Sequence, residues 1–510
     1  MAKDVRNHEM RAKALKLGLD ILGQKNLFVG LIRDQEKPLI PEKAINYFRR
    51  AAKLGSVEAQ LFLGRLFYQS DNWPLDSYEA AKWFQMAADQ DAPEACYMIG
   101  LMRRLGQGLA KNLDLGLFYL LKAASQGLVM AQNAVANIYD SGEGLPQDSI
   151  EAAKWWRLAA EQGDAQAQRD LGLLYKRGHG QLKSDEAEAA KWLLLAANNG
   201  VVDAQFYLSD MYLGHGLEAN NAEAYKWSLE AARQGHLEAM FNLSLLLKNG
   251  EGAPKDLERA AYWLLQAAEG GHVQAQFNMA IFCQEGYGVA PDTNEALRWL
   301  RKAAENGLPE AQYNLALAII GDSEAALDCS QDSSHGDSME LTEAIHWLRE
   351  AASVGHVEAI ANLGTMYFEA QGVPQDKAEA CHWFKMGAEL GHSLCQYNYG
   401  LILLKGDGVE ENPDLGAYWL QKAADQGNSQ AQLIMALTSG TELGWAKDIK
   451  KAHNWLALAA KQGQSEALFF LESVDWNSPH AAEDLEFEIN CRLYLATLKN
   501  SQGQEERNVH

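Results

Sequence analysis

The sequence predicts an all-α fold, a right-handed α-solenoid of about twelve helix-turn-helix repeats of 36 residues each. The first observation is a glycine that recurs at a nearly constant interval, which we call the anchor of each repeat. The intervals are 36 residues, apart from single intervals of 35, 37 and 48 residues. A fixed period of this length is typical of stacked helical hairpins. The twelve anchors are Gly55, Asp91, Gly127, Gly163, Gly200, Gly235, Gly271, Gly307, Gly355, Gly391, Gly427 and Gly463.

The second observation is that small and large apolar residues keep fixed distances from the anchor. Alanine stands three residues before it in all twelve copies, and eight residues before it stand ten tryptophans and two tyrosines. Paired alanines let neighbouring helices approach closely, and the large ring fills the space beside them. One such hairpin cannot bury its apolar face alone, so the copies must stack. We therefore predict that the tryptophans belong to the core and not to a cofactor site.

Each copy is predicted to contain two helices. In SIEAAKWWRLAAEQ, residues 149–162, the apolar residues recur at steps of three and four and share one helix face. Gly163 then provides the left-handed residue that ends the first helix. AQAQRDLGLLYKR forms the second helix, and loops of the type SGEGLPQD place Asp148 or Asp256 at the start of the next repeat as a helix cap. No segment alternates with period two, so we expect essentially no sheet.

These repeats resemble a known family. The pattern A-x-x-W-x-x-x-A-A-x-x-G, followed by A-Q-x-x-L-G-x-x-Y-x-x-G-x-G-V-x-x-D, is similar to the Sel-1-like repeat, a relative of the tetratricopeptide repeat. AQRDLGLLYKRG and EAIANLGTMYFEAQGVPQD carry the pattern clearly. The resemblance implies an adaptor or scaffold for protein complexes.

The register of the repeats suggests three regions. Residues 1–40 are predicted to form an N-terminal helical cap, and residues 41–475 form the twelve repeats. Residues 476–510 are predicted to form a C-terminal helical cap and a disordered tail, since solenoids need their ends covered. The longest anchor interval contains a Ser- and Asp-rich insertion at about 321–338, which we interpret as a surface loop.

Composition limits the possible partners and the compartment. The chain has 510 residues and a net charge of −23, which repels a phosphate backbone, so no nucleic-acid partner is expected. A basic or amphipathic protein or extended peptide would suit the charge better. No apolar run approaches the length of a membrane span and the N-terminus lacks an apolar signal core, so no membrane is expected and the location is predicted to be cytoplasmic. Six cysteines without C-x-x-C spacing fit a reducing compartment.

No sequence motif supports catalysis, a cofactor or a metal. The G-x-G loops follow helices and recur as turns, which is the wrong context for phosphate binding. Four histidines directly follow their anchors, and we expect them to be exposed at the start of the second helix: His236, His272, His356 and His392. Carboxylates three residues after an anchor either offset the helix dipole or border a ligand groove: Glu58, Glu94, Asp203, Glu238, Glu310, Glu358 and Glu466.

The resemblance also implies where a partner would bind. In related superhelices the second helix lines the concave wall, and an asparagine there holds the main chain of an extended peptide. The corresponding positions, seven residues after the anchor in five successive copies, form what we call the asparagine row: Asn242, Asn278, Asn314, Asn362 and Asn398. Rings one residue earlier would take apolar side chains of the partner: Phe206, Phe241, Phe277, Tyr313 and Tyr397. Alternatively, the asparagines satisfy backbone groups within the solenoid.

We therefore expect a non-catalytic protein-interaction scaffold that binds a peptide or protein partner on the concave surface. The alternative is a hydrolase or cell-wall ligand binder, because some cysteine-rich members of the family act on β-lactams. Those relatives carry a cysteine pair in each repeat, which this chain lacks. A third hypothesis is self-assembly through the convex face or the caps, and the sequence leaves the oligomeric state open.

Overall fold

Helices form nearly all of the protein that can be described. The structure is a computed structural model that describes residues 2–23, 41–69, 75–327, 337–440, 448–478 and 480–486. Within these ranges helix is the extended regular structure, and the pairing of His179 with Leu182 is an isolated bridge. The predicted all-α fold is confirmed there.

The bounds of the helices follow the predicted repeats. Helices α2 and α3 form repeat 1, and each following pair forms the next repeat, up to α24 and α25 in repeat 12. The helices are α1 Ala2–Gly23, α2 Glu42–Lys53, α3 Val57–Gln69, α4 Ser77–Ala88, α5 Pro93–Leu105, α6 Leu113–Ser125, α7 Val129–Ser141, α8 Ser149–Glu161, α9 Ala165–Arg177, α10 Glu186–Asn198, α11 Val202–Tyr212, α12 Asn221–Arg233, α13 Leu237–Asn249, α14 Leu257–Glu269, α15 Val273–Glu285, α16 Thr293–Glu305, α17 Pro309–Leu327, α18 Asp337–Ser353, α19 Val357–Glu369, α20 Lys377–Glu389, α21 Ser393–Lys405, α22 Pro413–Asp425, α23 Ser429–Gly440, α24 Ile449–Lys461 and α25 Ser465–Ser473.

The chain divides into two compact units, Met1–Trp263 and Leu264–His510, and each is described by itself below. Within each unit successive helices pack on one another, so that the hairpins stack as an α-solenoid. In the first unit α1 also packs on α2, where it buries Ala14. In the second unit α17 continues to Leu327, so helical structure reaches into the predicted insertion, while residues 328–336 lie outside the described ranges, as does the predicted tail from residue 487.

Turns and caps form where the sequence predicts them. The eleven anchor glycines have φ between 83° and 95°, and Asp91 takes the same left-handed role at 62°. An aspartate tolerates that region better than most residues with a side chain, which explains the substitution. The Asp148 carboxylate accepts hydrogen bonds from the backbone N–H groups of Ile150 and Glu151 at 3.0 Å. Asp256 accepts one from Arg259 at 2.9 Å, so both predicted caps are confirmed.

The core is deepest one residue after the tryptophan position. Four of the ten repeat tryptophans are buried, namely Trp83, Trp192, Trp227 and Trp299, and the other six are half-buried. The following residue packs against a small residue of the preceding second helix. A Cβ on Gly364, for example, would lie 2.6 Å from the ring of Phe384. The tryptophans therefore cover a core whose centre is built from the next residue and a glycine, alanine or serine.

In most repeats a buried glutamine makes the connection to the next repeat. Five residues after the anchor, its Nε2 donates to the carbonyl of the first helix in its own repeat at 2.9 to 3.3 Å. Its Oε1 accepts from the amide of the residue before the next anchor at 2.8 to 3.1 Å. We call the second contact the amide bridge. The bridges are Gln90–Gln60, Gln162–Gln132, Asn199–Gln168, Gln234–Gln205, Asn306–Gln276, Gln426–Gln396 and Gln462–Gln432.

Where the buried glutamine is replaced, its partner usually changes as well. Ile360 is followed one repeat later by Leu390, so an apolar pair stands where the bridge would be. Cys96 is followed by Gln126, whose amide turns to the carbonyl of Lys122 in its own helix at 3.1 Å. The chain thus contains natural examples of a bridge, an apolar replacement and a glutamine without a bridge.

The amide bridge predicts an asymmetric double-mutant cycle. Gln426→Leu should destabilise the protein by about 1–3 kcal/mol, because the buried Oε1 of Gln396 loses its donor. Adding Gln396→Ile should recover most of that loss, since the pair then resembles Ile360 and Leu390. Urea unfolding followed by circular dichroism measures both effects.

Gln126→Leu is the matched control for this cycle. Its side chain bonds within its own helix and forms no bridge, so its effect on the unfolding midpoint should be small. Equal losses for Gln126→Leu and Gln426→Leu, or strict additivity in the cycle, would show that the bridge contributes nothing.

Candidate functional site

The asparagine row occupies the same position on five second helices, namely α13, α15, α17, α19 and α21. Asn314 is exposed and the other four side chains are half-buried. None of the five amides hydrogen bonds to another group in the part of the chain that the structure describes. By contrast, the buried glutamines two residues earlier in the sequence use their side-chain amides in hydrogen bonds within the protein. The row therefore keeps both its donors and its acceptor available.

The rings beside the row pack between repeats. In the first unit Phe206 stacks on His236, the residue that opens the next second helix, with ring centres 4.5 Å apart. In the second unit Tyr313 stacks on His356 at 4.7 Å. One face of each ring is therefore covered by an imidazole.

The remaining three rings are also half-buried, among them Phe241. Phe277 packs against the cluster that contains Leu315, and Tyr397 against the cluster that contains Leu420. Burial raises the pKa of the Tyr397 hydroxyl. These rings thus contribute to the contact between repeats, and a direct contact with a partner stays a prediction.

The prediction that the four anchor-following histidines are exposed is wrong. All four are half-buried, because each side chain turns back onto its own helix. The Nδ1 atoms of His236, His272 and His356 accept hydrogen bonds from backbone N–H groups at 3.0 to 3.3 Å. His392 instead places Nδ1 3.2 Å from the sulfur of Cys395. Among the described residues, no three His, Cys, Asp or Glu side chains form a group that could hold a metal ion.

Two cavities in the second unit include members of the row. The larger has a volume of about 460 Å³ and brings Phe277 and Asn314 together with apolar residues of α16. The smaller has a volume of about 150 Å³ and is lined by Asn398, Phe384 and Lys405 among others. Asn242 belongs to the first unit, and Asn278 and Asn362 line neither cavity. These cavities could not be predicted from the sequence, because each is built from three helices.

In the first unit, charged pairs occupy the corresponding wall. Arg169 forms an ion pair with Asp203 at a nitrogen–oxygen distance of 3.0 Å, and Lys176 forms one with Asp210 at 2.5 Å. Both ion pairs connect repeats 4 and 5. Burial raises the pKa of the Asp170 carboxyl although Arg169 lies beside it. These side chains neutralise one another across the repeat boundary, which leaves fewer free polar groups for a partner.

In the second unit, the matching positions are mostly apolar, and of the nearby acids Glu358 lies 3.7 Å from His356 of its own repeat. Glu310 precedes Asn314 by one helical turn, and Glu358 precedes Asn362 in the same way. Glu310 makes no ion pair with any residue that the structure describes. Glu310 can therefore form a negatively charged border of a ligand groove, which is the second of the two interpretations of these carboxylates.

The cap formed by His236 predicts that stability falls in mild acid. Burial lowers the pKa of His236, while Asp203 and Glu238 act in the opposite direction. A base whose pKa is lower in the folded state favours unfolding once protonated, so its contribution is complete above about pH 6.5 and is lost as the pH falls below that value. Protonation also removes the acceptor that caps Ala239.

His236→Asn should weaken this pH dependence, because asparagine caps without titrating, as Asn428 does in repeat 11. Thermal unfolding at pH 7.5 and pH 5.5 should show a smaller difference for this variant than for the wild type. His346→Asn, at an exposed position on a first helix, should leave the difference unchanged. A wild-type difference that persists in full in His236→Asn would refute the role of this histidine.

The described helices include none that combines the length and the apolar character needed to cross a membrane.

Comparisons with known proteins agree with this architecture. The crystal structure of c5321, a protective antigen of uropathogenic Escherichia coli with an SLR fold, matches with a TM-score of 0.60 and 30% identity, over 87% of this chain and 93% of that one. An uncharacterized protein of Neisseria meningitidis serogroup B, NMB1327, is 31% identical over 27% of this chain and 28% of its own length. DAP3-binding cell death enhancer 1 of Rattus norvegicus is 30% identical over 29% of this chain and 31% of its own length. The alignments thus span less than a third of these two relatives.

The sequence model of the Sel1 repeat matches twelve consecutive segments, which together cover most of the chain. The segments are residues 30–56, 57–91, 93–128, 129–164, 165–201, 202–236, 237–272, 273–308, 309–356, 357–392, 393–428 and 429–464. Each segment begins with a second helix and ends at the next anchor or one residue after it. The first segment instead begins at residue 30 and ends one residue after the first anchor. The chain belongs to the Sel1 repeat family.

Proposed function

We propose that this protein is a non-catalytic scaffold that binds an extended segment of a protein partner along the second helices of repeats 7 to 10, and that Asn242 of the first unit offers the same kind of contact. The observation that carries the proposal is the asparagine row, whose amides have no hydrogen-bond partner among the described residues. An amide offers two donors and one acceptor, which match the N–H and C=O groups of a peptide main chain. Such contacts hold a backbone without requiring a particular sequence.

The spacing of the row suits an extended chain. Packed helices lie about 8–10 Å apart, and an extended chain advances about 3.3 Å per residue. One asparagine would therefore meet roughly every third residue of the partner. The side chains between these contacts would point toward the rings and cavities beside the row.

The charge of this wall favours a partner with basic residues. Glu238, Glu310 and Glu358 each precede a row asparagine by four residues, and the chain carries a net charge of −23. A partner with lysine or arginine beside its apolar residues would be attracted to the wall and held in register by these carboxylates.

The relatives support a protein-binding role at the level of the family. Sel1 repeat proteins generally act as scaffolds for protein–protein interactions. The rat relative is named for binding DAP3. That name describes the rat protein, and for this chain it supports only the proposal that the partner is a protein. A cytoplasmic location belongs to the same proposal, since the four cysteines in the described residues are free and buried.

The second candidate is a hydrolase or cell-wall ligand binder, and the thiols of the described cysteines give it little support. Burial raises the pKa of the Cys395 thiol to about 12, and it also raises the pKa of Cys96, Cys283 and Cys381. A thiol with a raised pKa is a poor nucleophile at neutral pH. Cys329 and Cys491 lie outside the described residues. Hydrolysis of a chromogenic β-lactam by the purified protein would favour this candidate.

Removal of the amides should weaken partner binding without affecting the fold. Three asparagine contacts at roughly 1 kcal/mol each correspond to roughly a hundredfold in affinity. We expect Asn278→Ala, Asn314→Ala and Asn362→Ala, combined in one variant, to lose a partner that the wild type captures from native lysate and mass spectrometry identifies. The dissociation constant of the purified partner then measures the loss.

The control combines Asn46→Ala, Asn294→Ala and Asn454→Ala, three exposed asparagines on first helices. This variant should retain the partner, and circular dichroism should show that both variants are folded. If the row variant and the control bind equally well, the partner uses another surface and the asparagines have no role in binding.

A further inference from the structure

One core position in the second unit opens to the surface. Seven residues before the anchor, eleven of the twelve repeats carry a side chain that is at most 3% exposed. In repeat 8 that residue is Leu300, which is only half-buried. The eleven buried equivalents are Phe48, Phe84, Leu120, Trp156, Leu193, Ser228, Leu264, Leu348, Phe384, Leu420 and Leu456.

The residue at the rim of this opening is polar. Thirteen residues after the anchor, Tyr68 lies edge-on against the ring of Phe84 in the next repeat, with centres 6.4 Å apart. Leu404 packs similarly against the cluster that contains Leu420. In repeat 7 this position is held by Gln284, which is exposed and lines the opening together with Leu300.

The result is a cavity between α15, α16 and α17 with a volume of about 460 Å³. Seven of its ten lining residues are apolar, among them Phe277, Ile281, Leu300 and Ala318, and the polar ones are Gln284, Thr293 and Asn314. This volume falls in the range of about 300–1,000 Å³ typical of binding pockets. We call it the Leu300 pocket. It combines an apolar interior with one member of the asparagine row.

One carboxylate near the pocket favours one kind of occupant. The carboxylate of Glu310 lies one helical turn before Asn314 and forms no ion pair with a described residue. The described residues that line the pocket include no lysine or arginine. An apolar side chain would gain by leaving water here, and a neighbouring basic residue would gain from Glu310.

We propose that the Leu300 pocket is the side-chain specificity site of this scaffold: it binds one bulky apolar side chain of an extended partner segment, next to a lysine or arginine that pairs with Glu310. The proposal rests on the function proposed above and adds the sequence class of the partner. Asn314 would hold the main chain of the partner at the mouth of the pocket. The pocket would then select the residue that enters.

A random dodecapeptide phage library, selected on the full-length protein, provides the probe. Peptides that bind should share one leucine, methionine or aromatic residue beside a lysine or arginine. Ala318→Phe fills the pocket from α17 and should weaken binding of these peptides by about ten- to a hundredfold, the value of one buried apolar side chain. Leu317→Phe, at the exposed neighbouring position outside the pocket lining, should bind like the wild type.

Charge reversal tests the second half of the proposal. Glu310→Lys should weaken the selected peptides, whereas Glu305→Lys, with the same change in charge at an exposed position on α16, should not. Equal binding to Ala318→Phe and the wild type, or a selection without an apolar and basic pattern, would overturn the proposal. A wild type that self-associates in light scattering while Ala318→Phe does not would also overturn it, since a second copy would then be the occupant.

These outcomes are separable from a failure of the proposed function. If the row variant loses the cellular partner and Ala318→Phe keeps it, the scaffold function stands and the pocket proposal is wrong. If the selected peptides depend on Ala318 while the cellular partner ignores the row, the pocket binds side chains but the row does not bind a main chain.

Discussion

The contact on which the rest of the structure depends is the hydrogen-bonded glutamine five residues after the anchor. Its amide joins the two helices of one repeat and, through the amide bridge, the next repeat, as in Gln396 with Ala388 and Gln426. A helix turns by about 100° per residue, so a residue two positions later points to nearly the opposite side. Locking the glutamine inward therefore directs the asparagine of the same helix outward. In repeats 7, 8 and 10 this buried contact thus sets the direction of the row asparagine, whereas in repeats 6 and 9 Met240 and Ile360 take the inward position instead.

Much of the fold could be predicted, because a 36-residue period, anchor glycines and cap aspartates act locally. Asp148 and Gly163 perform their roles within a few residues of their positions in the sequence. The amide bridge escaped prediction since its two partners stand about 30 residues apart, as Gln432 and Gln462 do. The histidines were wrongly expected to be exposed, because the pattern did not show that they cap their own helices or that His236 and His356 also stack on a ring of the preceding repeat. Leu300 resembles every other leucine of its position in the sequence, and only the neighbouring helices show that it is uncovered.

The two units differ in how their second helices use the same positions. In repeats 4 and 5 the side chains pair across the boundary, as Arg169 does with Asp203, so that wall is largely satisfied by its own charges. In the second unit, amides and apolar side chains take these positions, and Glu310 forms no ion pair with a described residue. Nothing in the repeat architecture requires this difference, since both kinds of wall rest on the same hairpins. The proposed contact with a partner would make use of this difference.

The most direct test of this account is amide hydrogen exchange of the full-length protein, with and without the partner captured from lysate. Exchange reports on opening and access of individual backbone segments, so it locates a bound chain without any mutation. We expect slower exchange in the second helices α15, α17, α19 and α21, with the first helices between them little changed. Protection confined to α16, α18 and α20, or protection restricted to the first unit, would contradict it.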